Sequence, residues 1–227
     1  MKRGRKPTID AADITRAAIA IADAEGLAAV SMARVAQEMG NATMALYRHV
    51  KNKDELLTLM ADAAFDEPPS LPDGDWRAQL GVWAKALLSG VRRRPWFLQL
   101  PLNGPPSGPR SLAWFDRALG ALDDTPLEAG EKVGVVMGLM TFVHGEAWLT
   151  VGLTRGYEQD PDRFSAQYGQ RLREIVDPRR MPALAKIVAA GVFDADDLLD
   201  ADDMAAEFDF GLHLFLEGVA AHIGGRA

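Results

Sequence analysis

The sequence has no cysteine in its 227 residues. That absence excludes disulfide staples, thiolate metal sites and cysteine nucleophiles. Strand signals are missing too: no run of alternating β-branched residues ends in an Asn-Gly or Asp-Gly hairpin turn. The longest apolar run, residues 133–143, stops at Lys132 and His144. A bilayer span takes about 20 apolar residues, so no membrane-spanning segment is expected. No nucleophile elbow, P-loop, dinucleotide-binding glycine motif or HExxH occurs, and an enzyme is therefore not expected. The N-terminal Met-Lys-Arg-Gly-Arg-Lys-Pro is followed by Thr8-Ile9-Asp10, not by an apolar stretch. It is thus not read as a secretory signal, and cytoplasmic residence is expected. Repeats of solenoid length are lacking as well.

What is present is an ordinary globular composition, 48% apolar and 25% charged, with 32 acidic and 25 basic residues. At this length a core can form without covalent staples. The net charge of −7 conceals an asymmetry, because residues 1–53 carry nine basic and five acidic side chains, a net +4. The remainder carries −11. A basic head on an acidic body implies that the head alone meets a polyanion, unless the basic residues form no more than a solvated tail.

Helical periodicity runs through the chain. Ile14, Ala17, Ala18, Ile21 and Ala22 fall on one face of a first helix, with Asp10 as N-cap and Gly26 as terminator. Ser31 begins a second helix that buries Val35, Ala36 and Met39 and stops at Gly40. A third is expected over 43–50 with Leu46 and Val50 inward. A fourth runs from Asn52 through Ala64, with Glu55 reaching back as a capping box. Residues 67–75 read as a linker. Beyond it, helices are expected at about 76–93, 96–102, 111–122, 127–155, 163–175, 181–190 and 204–223, with a Pro/Gly-rich loop at 103–109 and a solvated acidic patch at 194–203. The 127–155 helix is apolar over most of its circumference, so it should be central.

Ala36, Gly40 and Leu46 supply what a helix-turn-helix requires: a small residue at the crossing, a glycine that can turn, and an apolar plug on the second helix. An ordinary αα-hairpin can show the same three residues. The surrounding strings decide the matter: Ser31-Met-Ala-Arg-Val-Ala-Gln-Glu-Met-Gly40, then Met44-Ala-Leu-Tyr-Arg-His-Val50 and Lys51-Asn-Lys-Asp-Glu-Leu-Leu57. With them, residues 9–60 resemble the DNA-binding domain of the tetracycline-repressor (TetR) family of transcriptional regulators. Arg94-Pro-Trp96 and the segment 208–218 resemble, more loosely, the C-terminal domain of the tetracycline repressor's own branch.

The resemblance implies an all-α fold: an N-terminal three-helix helix-turn-helix domain (1–53), a connecting helix and linker (54–75), and a C-terminal helical bundle for effector binding and dimerisation (76–227). It implies a homodimeric repressor released by a small-molecule effector, without a cofactor, on a roughly palindromic double-stranded DNA operator. The alternative is a head that binds a protein partner. By position, the family's base-contacting sites fall on Thr43, Met44 and Ala45. Thr43 can hydrogen-bond a base edge, while Met44 and Ala45 can only pack, for example on thymine methyl groups. Tyr47 and His49 match positions that meet phosphate or sugar, Lys53 the lysine that opens the fourth helix, and Ser31 the start of the second. Arg34 and Arg48 join the expected DNA-facing set, as do Arg3 and Arg5 in an arm suited to the minor groove or to lying along phosphates. Two positions depart from the pattern: Asn41 replaces a frequent apolar turn residue, and Ala33 stands where some members place a base-reading arginine.

In the body, Gly138, Gly145 and Gly152 recur every seven residues, as do Gly211 and Gly218. Glycine inside a helix costs up to about 1 kcal/mol relative to alanine, so its recurrence on one face suggests close helix pairing. Gly138, Gly145, Gly211, Phe215 and Gly218 are accordingly expected at a dimer interface, with packing inside the chain as the alternative. Trp83, Trp96, Met137, Met140, His144 and Trp148 are candidates to line an effector pocket, although helical spacing makes each of them a candidate core residue as well. His213 and Glu217 alone do not make a metal site, and none is expected.

Overall fold

The computed structural model describes residues 9–101, 105–160, 167–194 and 201–225, and within them it is all helix and turn, with no strand. The expected arm residues Arg3 and Arg5 lie outside the described residues, as does most of the acidic patch at 194–203.

Helix α1 (Ala11–Glu25) starts where Asp10 and Asp13 form a reciprocal capping box, and it ends at Gly26. In α2 (Met32–Glu38), the Ser31 hydroxyl accepts the Arg34 amide at 3.1 Å. Gly40 then turns the chain with a φ of +63°, a conformation that side chains disfavour. Helix α3 (Thr43–Leu46) is shorter than the expected 43–50. The physical reason is the next cap. Asn52 must be extended to accept the Glu55 amide and open α4 (Lys53–Ala63). The chain therefore leaves the helix early, and the His49 and Val50 amides share the Leu46 carbonyl, each at 2.9 Å. The capping box is also modified, since the Glu55 carboxylate accepts from the Lys51 amide and not from that of Asn52. Ile14, Ala18, Val30, Val35, Ala36, Leu46, Val50, Leu56 and Met60 are buried. A helix-turn-helix core is thus closed by the residue types read from the sequence, except that Met39, the C-cap of α2, is only half-buried.

Next come α5 (Trp76–Arg93), a 3-10 turn (Pro95–Gln99) in place of the expected helix at 96–102, α6 (Pro109–Gly120) and α7 (Ala129–Gln159). Proline at the first position of the 3-10 turn and extended backbone at Leu100 limit it to that length. By compactness the chain divides differently from the expected stretch at 54–75. Its compact units are Met1–Met140 and Thr141–Ala227, because α4 packs on α6 and the head joins α5 and α6 in one core. Aromatic rings fill that core. Phe65 meets Phe97 edge-on at 4.8 Å, and the Trp83 and Trp114 rings lie 5.9 Å apart. Both indoles find acceptors: Trp83 Nε1 donates to the Trp114 carbonyl at 2.9 Å, and Trp114 Nε1 to the Asp66 carbonyl at 2.8 Å.

The second unit holds the rest of α7 with α8 (Gln167–Ile175), α9 (Pro182–Ala189) and α10 (Ala201–Gly224). Phe142 stacks on Phe208 at 5.4 Å, and Tyr168 meets Phe193 edge-on at 5.8 Å. Arg173 pairs with Asp194. At 31 residues α7 is long and apolar enough to cross a membrane by length and composition, which the run at 133–143 alone did not reveal. Val136, Leu139, Val143 and Ala147 form its buried stripe, whereas Val133, Met137, Trp148 and Leu149 are exposed.

Trp114→Phe keeps a ring in the core but removes the indole donor to Asp66. It is expected to lower unfolding free energy by about 1–3 kcal/mol, measured by urea denaturation.

Candidate nucleic-acid interface

Two buried side chains, Leu46 and Val50, anchor the short α3 and fix which residues face outward. Met44 is 72% exposed and Tyr47 43%. Arg48 and His49 are exposed, and Thr43 and Ala45 are half-buried beside them. Met44 can offer a thymine methyl group only apolar contact, and Thr43 carries the one hydroxyl on this helix. The Ser31 hydroxyl, having accepted the Arg34 amide, still has its own proton to donate.

Charge sorts the cations of the head into two groups. Arg16 pairs with Asp13 at 3.0 Å. Arg34 lies between Glu25 at 2.6 Å and Glu38 at 2.7 Å, so the arginine expected to face DNA is already engaged. These pairings hold its pKa above the ordinary value, through Glu38 first and then Glu25. Arg48, Lys51 and Lys53, by contrast, are exposed and make no ion pair among the described residues. These three cluster where α3 ends and α4 begins, so unpaired positive charge borders the outward face of α3. Lys51 was not singled out from the sequence. Only the spacing Arg48, Lys51, Lys53 around the Asn52 cap could have flagged it.

A second group of contacts connects this head to α5 and α6. Gly108, the N-cap of α6, has no side chain to offer, and Pro109 has no amide proton. Asp62 of α4 supplies the cap from outside. Its Oδ1 accepts the Ser111 amide at 2.8 Å and the Ser111 hydroxyl at 2.9 Å, and its Oδ2 accepts the Arg110 amide at 3.4 Å. A Cβ on Gly108 would stand 2.1 Å from that carboxylate, so only glycine permits the approach. Asp23 of α1 does similar work, accepting Trp96 Nε1 at 2.6 Å and Arg94 Nε at 3.3 Å. Arg94 also donates to the Ala64 carbonyl at the end of α4. The Arg94-Pro-Trp96 motif was legible in the sequence, but Asp23, more than 70 residues away, was not.

Among the expected effector-pocket residues, Trp83 and Trp96 are buried and use their indole N–H groups inside the first unit. Met137 is exposed and Met140 half-buried in the same unit. His144, in the second unit, is half-buried, and desolvation holds its imidazole below the ordinary pKa, which favours the neutral form. Trp148 is 66% exposed. Among the expected interface residues, Gly211 is occupied within the chain, where a Cβ would come 2.9 Å from the Phe142 ring. Phe215 faces the same ring, at 6.4 Å. Gly138 is half-buried, while Gly145 and Gly218 have open space where a Cβ would point. On α10, Phe210 and Leu214 are also exposed, so α7 and α10 each carry an uncovered apolar stripe. Among the described residues no group of three or more His, Asp or Glu could hold a metal ion.

Comparison with known proteins agrees with this layout. Residues 14–60 match the family described as bacterial regulatory proteins, tetR family, and residues 68–223 match the tetracyclin repressor-like C-terminal domain. The HTH-type transcriptional repressor DrrR1 of Streptomyces coeruleorubidus is 34% identical over 99% of this chain and 82% of its own length. Among solved structures, the TetR family protein ActR of Streptomyces coelicolor in complex with actinorhodin superposes with a TM-score of 0.79 at 26% identity, covering 98% of this chain and 100% of that one. The complex of ActR with (S)-DNPA gives 0.74, covering 95% and 98%.

Asp62→Ala is expected to cost about 1–3 kcal/mol of stability, read by urea denaturation, and to speed hydrogen exchange at the Arg110 and Ser111 amides. Because Gly108→Ala disrupts the same contact, the two losses should not add.

Proposed function

The chain belongs to the TetR family, and from that premise we propose that it is a homodimeric, ligand-released repressor whose α3 reads an inverted-repeat operator. The observation that carries this reading is the exposed face of α3 bordered by three unpaired cations, Arg48, Lys51 and Lys53. A head that binds a protein partner has no comparable support, since neither its charge nor its relatives point that way.

Within the DNA complex, Thr43 bonds a base edge, and Met44 and Ala45 pack on thymine methyl groups. Tyr47, Arg48, His49, Lys51 and Lys53 meet phosphate and sugar, as do Ser31 and the basic arm with Arg3 and Arg5. Phosphate contacts fix register and supply affinity for any sequence, whereas the α3 face supplies discrimination. Two such heads related by a two-fold axis reach successive major grooves about 34–36 Å apart. The exposed apolar stripes of α7 and α10 favour a dimer closed through those helices, around the open faces of Gly145 and Gly218. In a dimer the apolar length of α7 is covered by protein, with no need of lipid. This role needs neither catalysis nor a cofactor, and it is exercised in the cytoplasm, where the DNA lies.

The effector is a small molecule held in the C-terminal part of the chain, as the ligand-bound forms of the similar protein ActR suggest. Release demands that the effector bind the non-operator conformation better, since equal affinity for both shifts nothing. The means of transmission is the capping of α6 by Asp62. Displacement of α6 must drag α4, and α3 sits at the N-terminus of α4.

Three measurements test the reading. On a duplex enriched by the protein from a random pool, Thr43→Ala should reduce discrimination from unselected DNA, whereas equal loss on both contradicts the assignment. Lys53→Ala should weaken all sequences alike and lower the salt slope by about 0.9 per contact. Sedimentation at micromolar concentration should give a dimer, and a monomer there overturns the proposed assembly.

A further inference from the structure

Arg34 is the cation of the described head that pairs with two carboxylates at once. Its Nη2 donates to Glu25 at the end of α1 at 2.6 Å, and its Nη1 to Glu38, one turn along α2, at 2.7 Å. The side chain is 32% exposed and the two carboxylates 45% and 50%, so all three groups sit at the surface. Two carboxylates around one guanidinium leave a local charge of −1. The N-cap Ser31 lies on the same α2, three residues before Arg34.

We infer that Glu25 and Glu38 hold Arg34 off the DNA backbone, so that the triad suppresses binding to DNA of arbitrary sequence. The inference rests on the regulator reading and refines it at one residue. Each phosphate neutralised by a cation releases counterions and adds sequence-independent affinity. A bidentate arginine on α2 would add to that background without reading a base. With the Arg34 charge met by two carboxylates, the unpaired cations of the described head reduce to Arg48, Lys51 and Lys53, beside the proposed reading helix. The extra carboxylate charge lowers affinity for every duplex, whatever its sequence. Arg34 is thereby a positioning residue, tying the end of α1 to α2, and the carboxylates set how much sequence-independent affinity the head carries.

The test uses the full-length protein and a mixed-sequence duplex of about 30 base pairs, long enough for two half-sites one helical turn apart. Fluorescence anisotropy gives affinity across a sodium chloride series. The slope of log K against log salt is the readout that a purely structural role leaves unmoved. R34M should leave this slope at its wild-type value. E25Q/E38Q should tighten binding and steepen the slope by about 0.9 per engaged protomer, because the freed guanidinium reaches phosphate. Adding R34M to that pair should abolish the steepening. E38Q alone retains the Glu25 tie between α1 and α2, so it serves if the double variant folds poorly, and it should shift the slope in the same direction. A flatter slope for R34M in the wild-type background overturns the inference, since Arg34 would then already touch phosphate. An affinity gain in E25Q/E38Q that survives R34M with no change of slope also overturns it. Failure of the wild-type protein to bind both this duplex and DNA enriched from a random pool is a different result. It would remove the regulator reading, and the triad's role with it.

Discussion

The Asp62 carboxylate of α4 accepts both available amides in the first turn of α6, and α4 follows directly on α3, the proposed reader. The arrangement follows from elementary needs. A helix beginning Gly108-Pro109 has no capping side chain and one amide fewer, yet its next two donors still require acceptors. A carboxylate there also meets the positive end of the helix dipole. By drawing that carboxylate from α4 instead of from the local chain, the sequence makes the start of α6 and the position of α4 a single constraint. Asp23 repeats the device for α1, by way of Trp96 and Arg94. The head is therefore held to α5 and α6 by directional bonds to two carboxylates, with the Phe65, Phe97, Trp83 and Trp114 rings filling the space between.

That organisation accounts for where the compact units divide. A boundary drawn from composition falls in the Pro-rich stretch after α4, because linkers announce themselves by proline and glycine. Packing joins residues on either side of it, so that by compactness the division comes within α7. Proline and glycine mark where the backbone turns. They carry no information about which side chains meet across the turn.

The local parts of the account were legible in the sequence. The Asp10, Ser31 and Asn52 caps, the turn at Gly40, and the inward pair Leu46 and Val50 all stand where short-range rules put them. The length of α3 was not, because the extended cap at Asn52 competes with helix propagation and wins. Partners distant in the chain were also hidden. Nothing near Arg34 predicts that Glu25 will reach it from the preceding helix, and a count of basic residues treats it as equal to Lys53. Spacing alone likewise does not show that the Phe142 ring lies against Gly211. Periodicity identifies faces, and it leaves open what covers them.

The head-body charge split acquires a narrower meaning from this. Among the described residues of the head, the cations that the fold leaves unpaired lie beside α3, whose exposed face is mostly apolar and is the proposed reader. In the proposed function, affinity and discrimination rest on neighbouring but different residues. The most direct test is selection of the purified protein on a random DNA pool, followed by sequencing. The account predicts enrichment of an inverted repeat, its half-sites centred about one helical turn apart or slightly more and containing thymine where Met44 and Ala45 pack. A pool that shows no enrichment after several rounds, or that converges on a single unrepeated site, would contradict it.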